Sequence, residues 1–188
     1  MNVVDETPNQ VELTDHRSEF RQIFDEHAAF LWRTLRHLGV RERDLEDVCQ
    51  DVFLVAHRRL DSFRGESSLR TWLYGIAVRL ASEHRRRAHV RREVPTSEPP
   101  GLEHAYNEQN PVEHSELRVL LNGILDQLDE EKRTVFVLYE IEDLDMKDVA
   151  KVVGCPLQTA YSRLHAARRV VANAIRDRAP ELAEPDGG

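Results

Sequence analysis

A helix-turn-helix pattern over residues 146–171, MKDVAKVVGCPLQTAYSRLHAARRVV, constrains the fold of this chain more than any other stretch. Apolar side chains recur at helical spacing up to Val153. Gly154 then ends the first helix, because glycine enters the left-handed C′ conformation without strain. Pro156 follows where a second helix can begin, since its fixed φ suits a first helical turn. The apolar stripe of that second helix consists of Leu157, Ala160, Leu164, Ala167 and Val171.

The remaining positions of the second helix carry hydrogen-bonding and basic side chains. Donors and positive charge are what a helix needs when it enters a major groove and reads base edges. We therefore predict a DNA-binding helix whose contact residues are Gln158, Thr159, Tyr161, Ser162, Arg163, His165, Arg168 and Arg169. An ordinary helical hairpin with a solvated basic face is the alternative, because this motif has false positives.

Composition and proline placement predict an all-α protein of two small helical domains. Gly and Pro number only 8 each among 188 residues, and Leu, Ala, Arg and Glu are good helix formers. Four prolines and Gly101 interrupt residues 93–111 and forbid regular helix there. The expected organisation is a mobile tail at 1–16, a first domain at 17–92, a flexible acidic linker at 93–111, a second domain at 112–179 and a tail at 180–188.

Local signals place the ends of several helices. Gly39 ends a long first helix, and Gly65 breaks the chain before the third. Side chains that can accept a hydrogen bond from a free helical N–H are expected at the N-caps. The predicted caps are Asp44, Ser67 or Ser68, Asp129 and Asp145. The apolar stripes place Trp72 in the core of the first domain and Leu117 in that of the second.

The charge distribution qualifies the prediction of DNA binding. The net charge is −8, yet residues 21–92 carry 15 arginines against 10 acidic residues. Residues 93–115 carry five glutamates and no basic residue. Because phosphate neutralisation supplies most non-specific affinity, an acidic chain with local basic faces should bind DNA weakly alone and need a partner to hold it there.

An acidic group on the second helix is not explained by packing. Asp47 and Asp51 are four residues apart, where like charges repel by a few tenths of a kcal/mol. A solvated helix start favoured by the helix dipole explains the first acidic residues but explains Gln50 and Asp51 less well. A docking surface for a basic partner is the other interpretation, with the residues Asp44, Glu46, Asp47, Gln50 and Asp51.

A second surface of the first domain combines aromatic and basic side chains. Arg70 and Tyr74 lie on one side of the third helix, Phe63, Arg64 and Glu66 precede it, and arginines follow at 79 and 85–87. Aromatic rings beside a basic track suit unstacked single strands, because bases stack on the rings while phosphates follow the charge. Tyr74 and the arginines are therefore predicted to contact nucleic acid, and Trp72 to be core.

Several classes of function lack support in the sequence. We find no nucleophile–base constellation, phosphate-binding Gly loop or metal-ligand spacing, so we expect neither an enzyme nor a bound cofactor or metal. Cys49 and Cys155 form no ligand cluster and are expected to be buried thiols in a reducing cytoplasm. No apolar run is long enough to span a bilayer, and the acidic N-terminus is not a targeting signal. These features favour a cytoplasmic protein without membrane insertion.

Two stretches together resemble a known family. Residues 44–87 read DLEDVCQDVFLVAHRRLDSFRGESSLRTWLYGIAVRLASEHRRR, and residues 125–169 read LDQLDEEKRTVFVLYEIEDLDMKDVAKVVGCPLQTAYSRLHAARR. In this order and separation they resemble the core-binding and promoter-melting segment and the promoter-recognition domain of extracytoplasmic-function sigma factors, a branch of the bacterial sigma-70 family. The resemblance covers about residues 20–176. It implies a transcription initiation factor that directs core RNA polymerase to a two-part promoter and helps melt the minus-ten element.

The resemblance also implies roles for individual residues. The acidic group on the second helix would dock on the clamp helices of the polymerase β′ subunit. Arg133, Phe136 and Leu138 would lie near the β flap, and Glu98, Glu103 and Glu108 would thread towards the RNA exit channel. The predicted basic helix at 157–171 would read the minus-thirty-five element. The residues expected at the minus-ten element are Arg64, Glu66, Ser67, Ser68, Arg70, Tyr74, Arg79, Glu83 and Arg86.

Three positions depart from the family pattern, and rival functions stay open. Arg79 stands where Asn is usual, Tyr161 where Lys or Arg is common, and Ala166 where Arg is common, so the promoter preference is expected to differ. A separate anti-sigma factor is a family-level expectation. The rivals are a stand-alone helix-turn-helix regulator, with residues 17–92 as a sensing or dimerising domain, and a helical metal or redox sensor that uses Cys49, Cys155 and nearby His.

Overall fold

The computed structural model describes residues 10–92 and 113–178, and side chains within 20–88 and 117–178. These residues form seven α-helices and no β-strand. The helices are α1 Gln10–His37, α2 Leu45–Arg59, α3 Leu69–Arg92, α4 Glu113–Leu125, α5 Glu130–Phe136, α6 Met146–Val153 and α7 Leu157–Arg178. The predicted all-α fold of two helical domains is confirmed. Residues 1–9, the linker predicted at 93–111 and the tail predicted at 180–188 lie outside the described residues.

The first domain is a bundle of α1, α2 and α3 around one apolar core. Each helix contributes leucines or valines at spacings of three, four or seven, so one side of each helix becomes fully buried. The completely buried side chains at its centre are Leu31, Leu35, Leu45, Val52 and Leu73. Burying such a side chain stabilises the fold by about 1.5–3 kcal/mol, and this supplies most of what holds three otherwise marginal helices together.

The first helix begins earlier than the sequence pattern indicates. α1 starts at Gln10, inside the tail predicted at 1–16, so the predicted domain start at residue 17 falls within the helix. No Gly or Pro lies between Gln10 and His37, and a helix propagates through polar residues once an apolar segment has nucleated it. The far end follows the prediction, since Gly39 has a φ of +92° immediately after α1.

The predicted caps are confirmed at three helices. Asp129 accepts a hydrogen bond from the Lys132 N–H at 2.9 Å, and Asp145 accepts one from the Asp148 N–H at 2.9 Å. Ser68 Oγ accepts from the Thr71 N–H at 3.0 Å at the start of α3. Each bond satisfies one of the N–H groups that a helix start leaves unpaired.

Asp44 directly precedes α2, as predicted, but its side chain does not cap the helix. Its carboxylate accepts a hydrogen bond from Arg41 Nε at 2.8 Å and lies 3.0 Å from Nε2 of His84 on α3. A single turn of 3-10 helix over Glu42–Asp44 precedes α2 and aims this carboxylate at the neighbouring helix. Asp44 therefore braces α3 against the start of α2.

The second domain contains α4–α7 and confirms the helix-turn-helix. Gly154 takes the left-handed conformation with a φ of 67°, so α6 ends and α7 begins three residues later. Leu125, Val135, Leu138 and Leu164 are at most 2% exposed and form the core. Two predicted core residues are at the surface instead, because Leu157 is 40% and Leu117 is 59% exposed. Both lie in the first turns of their helices, where few neighbouring elements can cover them.

Two leucines of α7 provide a direct test of this packing. Leu164→Ala should lower the free energy of unfolding by about 2–5 kcal/mol, because it deletes a side chain that is only 2% exposed and leaves a cavity. Leu157→Ala should cost less than about 1 kcal/mol, since that side chain is already largely in water. Urea unfolding followed by circular dichroism measures both. Equal losses for the two variants would contradict the described orientation of α7.

Candidate nucleic-acid and polymerase interfaces

The acidic group predicted on the second helix forms an exposed surface. Glu46, Asp47, Gln50 and Asp51 are all exposed on α2, and Gln50 Nε2 donates to Glu46 Oε1 at 3.5 Å. Asp44 does not join them, because its carboxylate turns towards Arg41 and His84. We call Glu46, Asp47, Gln50 and Asp51 the acidic face. Unpaired acidic side chains on one helix side attract a basic partner over several ångströms.

Sequence reasoning missed an apolar residue that continues the acidic face. Leu54 is 53% exposed and follows Asp47, Gln50 and Asp51 by seven, four and three residues, which places it on the same side of α2. The spacing from Asp47, Gln50 and Asp51 carries the signal that could have placed Leu54 on this side of the helix. The exposed Leu54 beside these carboxylates therefore offers a partner an apolar contact as well as electrostatic attraction.

The residues predicted for the minus-ten element lie on two opposite sides of α3. Arg70 and Arg79 are nine residues apart, which is two and a half helical turns. Arg79 and Arg86 point outward and are exposed, with Glu83 half-buried beside them and 3.3 Å from Arg87. Arg70 and Tyr74 point towards α1 and the second domain. The nine predicted residues therefore do not share a single surface in this structure.

The outward side of α3 carries an aromatic pair, of which Trp72 was predicted to lie in the core. Trp72 is half-buried, and its ring centroid lies 5.3 Å from that of Phe63 in the preceding loop. Trp72 precedes Arg79 by seven residues, so the pair and the exposed arginines share this side. We call Phe63, Trp72, Arg79 and Arg86 the outer α3 face. It combines the rings and the charge that an unstacked strand requires.

The loop before α3 is accessible at its tip. Arg64, Gly65 and Glu66 are exposed, and Gly65 has a φ of +70°, a conformation that favours glycine. Ser67 is half-buried and its hydroxyl bonds the Ser68 carbonyl at 3.3 Å. Ser68 is committed to the cap of α3. Of the four predicted loop residues, Arg64 and Glu66 have the freest side chains.

Tyr74, predicted to contact nucleic acid, does not lie on an open surface in this structure. Tyr74 is completely buried, and its hydroxyl donates to Glu142 Oε2 of the second domain at 2.7 Å. Burial, together with the hydrogen bond to Glu142, raises the pKa of the Tyr74 phenol well above its usual range. Arg70 keeps about half of its side chain exposed but also reaches Glu142, at 3.5 Å. A contact with the other domain, invisible in the local spacing, covers this side of α3.

The predicted recognition helix α7 presents one outward face. Its exposed residues at spacings of three, four and seven are Gln158, Tyr161, Ser162, His165 and Arg169. Tyr161 is 40% exposed near the middle of this face. The face is rich in hydrogen-bonding groups and Arg168 is exposed at its edge beside Arg169, so it offers both base-edge contacts and positive charge.

Two residues predicted for this helix face are partly covered, and a third, Arg168, is exposed at its edge but paired. Arg163 is largely covered and pairs with Glu131 on α5 at 2.6 Å. Arg168 pairs with Glu140 at 2.6 Å and lies 5.8 Å from the ring centroid of Tyr139. Thr159 is half-buried. These contacts tie α7 to the rest of its own domain, and both arginines are paired with carboxylates, with Arg168 the more exposed of the two.

The group predicted near a polymerase flap surface is mostly covered. Arg133 is 5% exposed and Leu138 is completely buried, whereas Phe136 is half-buried. Arg133 Nη1 pairs with Asp126 at 2.6 Å, and Nε donates to the His37 carbonyl of the first domain at 2.5 Å. Burial lowers the pKa of Arg133, an effect that its pairing with Asp126 opposes. Arg133 acts here as a contact between domains.

The two cysteines differ in their surroundings. Cys49 is buried in the first domain, and this burial raises the pKa of its thiol to about 11. Cys155 is half-buried in the turn between α6 and α7. Within the part of the chain that the structure describes, His, Cys, Asp and Glu do not meet in a group of three or more that could hold a metal ion.

Family models and relatives agree with both halves of this architecture. The model of sigma-70 region 2 matches residues 23–91, and the model of sigma-70 region 4 matches residues 118–170. The ECF RNA polymerase sigma-E factor of Haemophilus influenzae is 35% identical over 149 residues, 73% of this chain and 77% of that protein. The sigma-E factor of Escherichia coli K12 is 32% identical over 144 residues, 71% of this chain and 74% of that protein.

Solved structures share the same fold. CnrH in complex with the cytosolic domain of CnrY has a TM-score of 0.65 at 24% identity, covering 87% of this chain and 91% of that one. The sigma factor RpoE of Bartonella quintana, in complex with the anti-sigma factor NepR, has a TM-score of 0.66 at 21% identity. That match covers 85% of this chain and 98% of that one.

The two helical domains and these matches thus define a sigma-70 type transcription initiation factor with regions 2 and 4. The chain belongs to the ECF sigma factor family. The expectation drawn from its two motifs is confirmed, and the stand-alone regulator is not favoured. In addition, none of the described helices combines the length and the apolar composition that crossing a bilayer requires.

The cysteine environments predict unequal reactivity. At pH 8, Cys49 should react with iodoacetamide at least about a hundredfold more slowly than Cys155, because a thiol pKa raised from 9.0 to about 11 leaves about a hundredfold less thiolate and burial blocks access. Mass spectrometry of peptides after timed alkylation of the folded protein measures this. The difference should vanish in urea, which controls for the reagent. Equal rates in the folded protein would contradict the burial of Cys49.

Proposed function

We propose that the acidic face of α2, extended by Leu54, docks on core RNA polymerase at the clamp helices of the β′ subunit. The observation that supports this most is the exposure of Glu46, Asp47, Gln50 and Asp51 side by side on a well-packed helix. Two of these carboxylates repel each other in the free protein, and a basic partner would relieve that repulsion. The apolar Leu54 gives the surface a contact that excludes water at its edge.

We further propose that the outer α3 face and the exposed loop before it melt the minus-ten element. Extruding a base from duplex DNA costs a few kcal/mol, which contacts to the separated strand must offset. Stacking on an aromatic side chain contributes about 1–3 kcal/mol per base. The Phe63–Trp72 pair can supply that stacking while Arg79 and Arg86 attract the phosphates. Arg64 and Glu66 are placed to contact a displaced base at the loop.

The outward face of α7 is proposed to read the minus-thirty-five element in the major groove. Gln158, Ser162 and His165 offer hydrogen bonds to base edges, and Arg169 can contact guanine or phosphate. Tyr161 lies on this face, whereas Ala166 is half-buried beside it. Of the two departures from the family pattern in this helix, Tyr161 is therefore the one expected to alter promoter preference. Arg79, on the outer α3 face, is the corresponding departure at the minus-ten element.

Regulation and location follow from the same assignment. The similar chains CnrH and RpoE were solved with a cytosolic domain of CnrY and with the anti-sigma factor NepR. We propose that a separate anti-sigma factor likewise holds this chain inactive, in the cytoplasm, where it meets the polymerase. We also propose that it performs no chemistry of its own and needs neither cofactor nor metal. A purified complex with such an inhibitor should lack core polymerase and regain activity when the inhibitor is removed.

Charge reversal on the acidic face tests the docking assignment. Asp47→Lys with Asp51→Lys should weaken core binding by about a hundredfold or more, because two attractive contacts become repulsive. Fluorescence anisotropy of the labelled chain titrated with core enzyme measures this. The matched control is Asp25→Lys with Glu26→Lys, an equal charge change at exposed positions of α1. If core binds the first variant as tightly as the control, polymerase docks elsewhere.

Transcription in vitro tests the function as a whole. With core enzyme and a pool of random promoters, the chain should support initiation at a defined two-part sequence. Trp72→Ala should reduce open-complex formation, read by permanganate reactivity of unpaired thymines, by roughly tenfold, since one stacking platform is lost. Trp72→Phe should retain most of it, which separates stacking from folding. Absence of promoter-specific initiation by the wild-type chain would refute the assignment.

A further inference from the structure

A buried carboxylate joins the two domains of this protein. Glu142 of the second domain is only 5% exposed. Its Oε2 accepts a hydrogen bond from the Tyr74 hydroxyl at 2.7 Å and lies 3.5 Å from Arg70 Nη2. Both partners belong to α3 of the first domain. A buried carboxylate is costly unless it is paired and hydrogen-bonded, so these two donors decide whether Glu142 can occupy this position.

The site that receives Glu142 is built from side chains of the first domain. Arg70 Nε donates to the Tyr74 hydroxyl at 2.9 Å, and the guanidinium lies 5.1 Å from the ring centroid of Phe30. The Phe30 and Tyr74 rings are 5.2 Å apart. The tyrosine hydroxyl is protonated at neutral pH, and burial raises the pKa of Tyr74 further, so it acts as a hydrogen-bond donor here. Arg70 and Tyr74 therefore present two oriented donors at one point.

The backbone on both sides of Glu142 in the second domain has an irregular conformation. A turn of π-helix over Val137–Ile141 directly precedes Glu142, and π turns are rare. Asp143, directly after it, has a φ of 56°, which side-chain-bearing residues seldom adopt. Such conformations persist where the surrounding contacts determine them. Two irregularities therefore flank the residue whose carboxylate contacts Arg70 and Tyr74 of the first domain.

A second set of contacts reinforces this junction. Arg133 Nε donates to the His37 carbonyl at 2.5 Å. A Cβ at Gly39 would come within 3.0 Å of the Arg133 guanidinium, so the bare backbone there gives the side chain its place. Arg85 of α3 donates to the Leu38 carbonyl at 2.8 Å and lies 3.8 Å from Glu130 of α5. These contacts hold the two domains against each other, and we call this arrangement the docked form.

We propose that Glu142 is a latch that keeps the two domains docked, and that the protein must release it before it binds core polymerase and reaches both halves of a promoter. The second part rests on the proposed function. Elements centred about 25 base pairs apart are separated by about 85 Å of B-form DNA. A compact chain of this length is about 40 Å across. The docked form is too small to place the outer α3 face and the α7 face on both elements at once.

The distance between two spin labels, one on each domain, tests the latch in variants that reverse and then restore the charges. The protein carries spin labels at Ala29→Cys on α1 and Ala172→Cys on α7, both exposed positions, in a Cys49→Ala, Cys155→Ser background. Glu142→Lys should move most molecules to longer inter-label distances in pulsed electron paramagnetic resonance. Arg70→Glu should do the same. The double variant Arg70→Glu with Glu142→Lys restores opposite charges and should shift the distribution back towards the wild-type distance.

Controls separate the latch from general damage to the fold. Glu140→Lys makes the same charge change two residues away, where the lost pair with Arg168 lies within the second domain, and should leave the distances unchanged. Tyr74→Phe removes a single hydrogen-bond donor and should shift the inter-label distances by less than Glu142→Lys does. It serves as the test if Glu142→Lys folds poorly. Wild-type distances in both Glu142→Lys and Tyr74→Phe would overturn the proposal, as would no recovery in the double variant.

A second readout connects the latch to polymerase. If only the open form binds core, the apparent dissociation constant is the intrinsic one divided by the open fraction. Glu142→Lys should therefore tighten core binding by the ratio of the open fractions that the distance measurements give for variant and wild type. Unchanged affinity despite opening would overturn the claim that release precedes binding. Absence of core binding in every variant would instead refute the proposed function, while the distances would still decide the latch.

Discussion

Two charged side chains buried at the junction of the domains organise this structure. Glu142 and Arg133 are each only 5% exposed, and each finds a partner in the first domain. An unpaired buried charge would cost several kcal/mol, so both must be satisfied at the same time. That requirement sets how the second domain sits against α1 and α3. It also accounts for the π turn over Val137–Ile141 and the positive φ of Asp143, which lie on either side of Glu142.

The junction divides the functional surfaces into covered and accessible ones. The acidic face, the outer α3 face and the outward side of α7 all carry exposed side chains. The opposite side of α3, with Tyr74, is covered by the second domain. One helix thus serves two purposes, because residues nine positions apart point in opposite directions. A sigma factor that docks its own domains can therefore keep its partner-binding residues available while it holds them in the wrong relative position.

Charge pairing within the second domain has a similar effect on DNA reading. Arg163 and Arg168 are held by Glu131 and Glu140. Arg168 keeps about half of its side chain exposed, but its charge is already paired with that of Glu140. Since non-specific affinity comes mostly from phosphate neutralisation, this arrangement favours recognition that depends on polymerase. The overall charge of −8 acts in the same direction.

Local chemistry in the sequence determined the all-α class, the helix-turn-helix with its left-handed Gly154, and the caps at Ser68, Asp129 and Asp145, because each depends on residues within one or two turns. It also determined which segments resemble those of a sigma factor. Only the tertiary structure decided the direction of individual side chains. Asp44 bonds His84, 40 residues away, and Tyr74 bonds Glu142, 68 residues away. Such partners have no signature in spacing, since a helical pattern gives a side chain's direction around its own axis but not what another part of the chain brings to meet it.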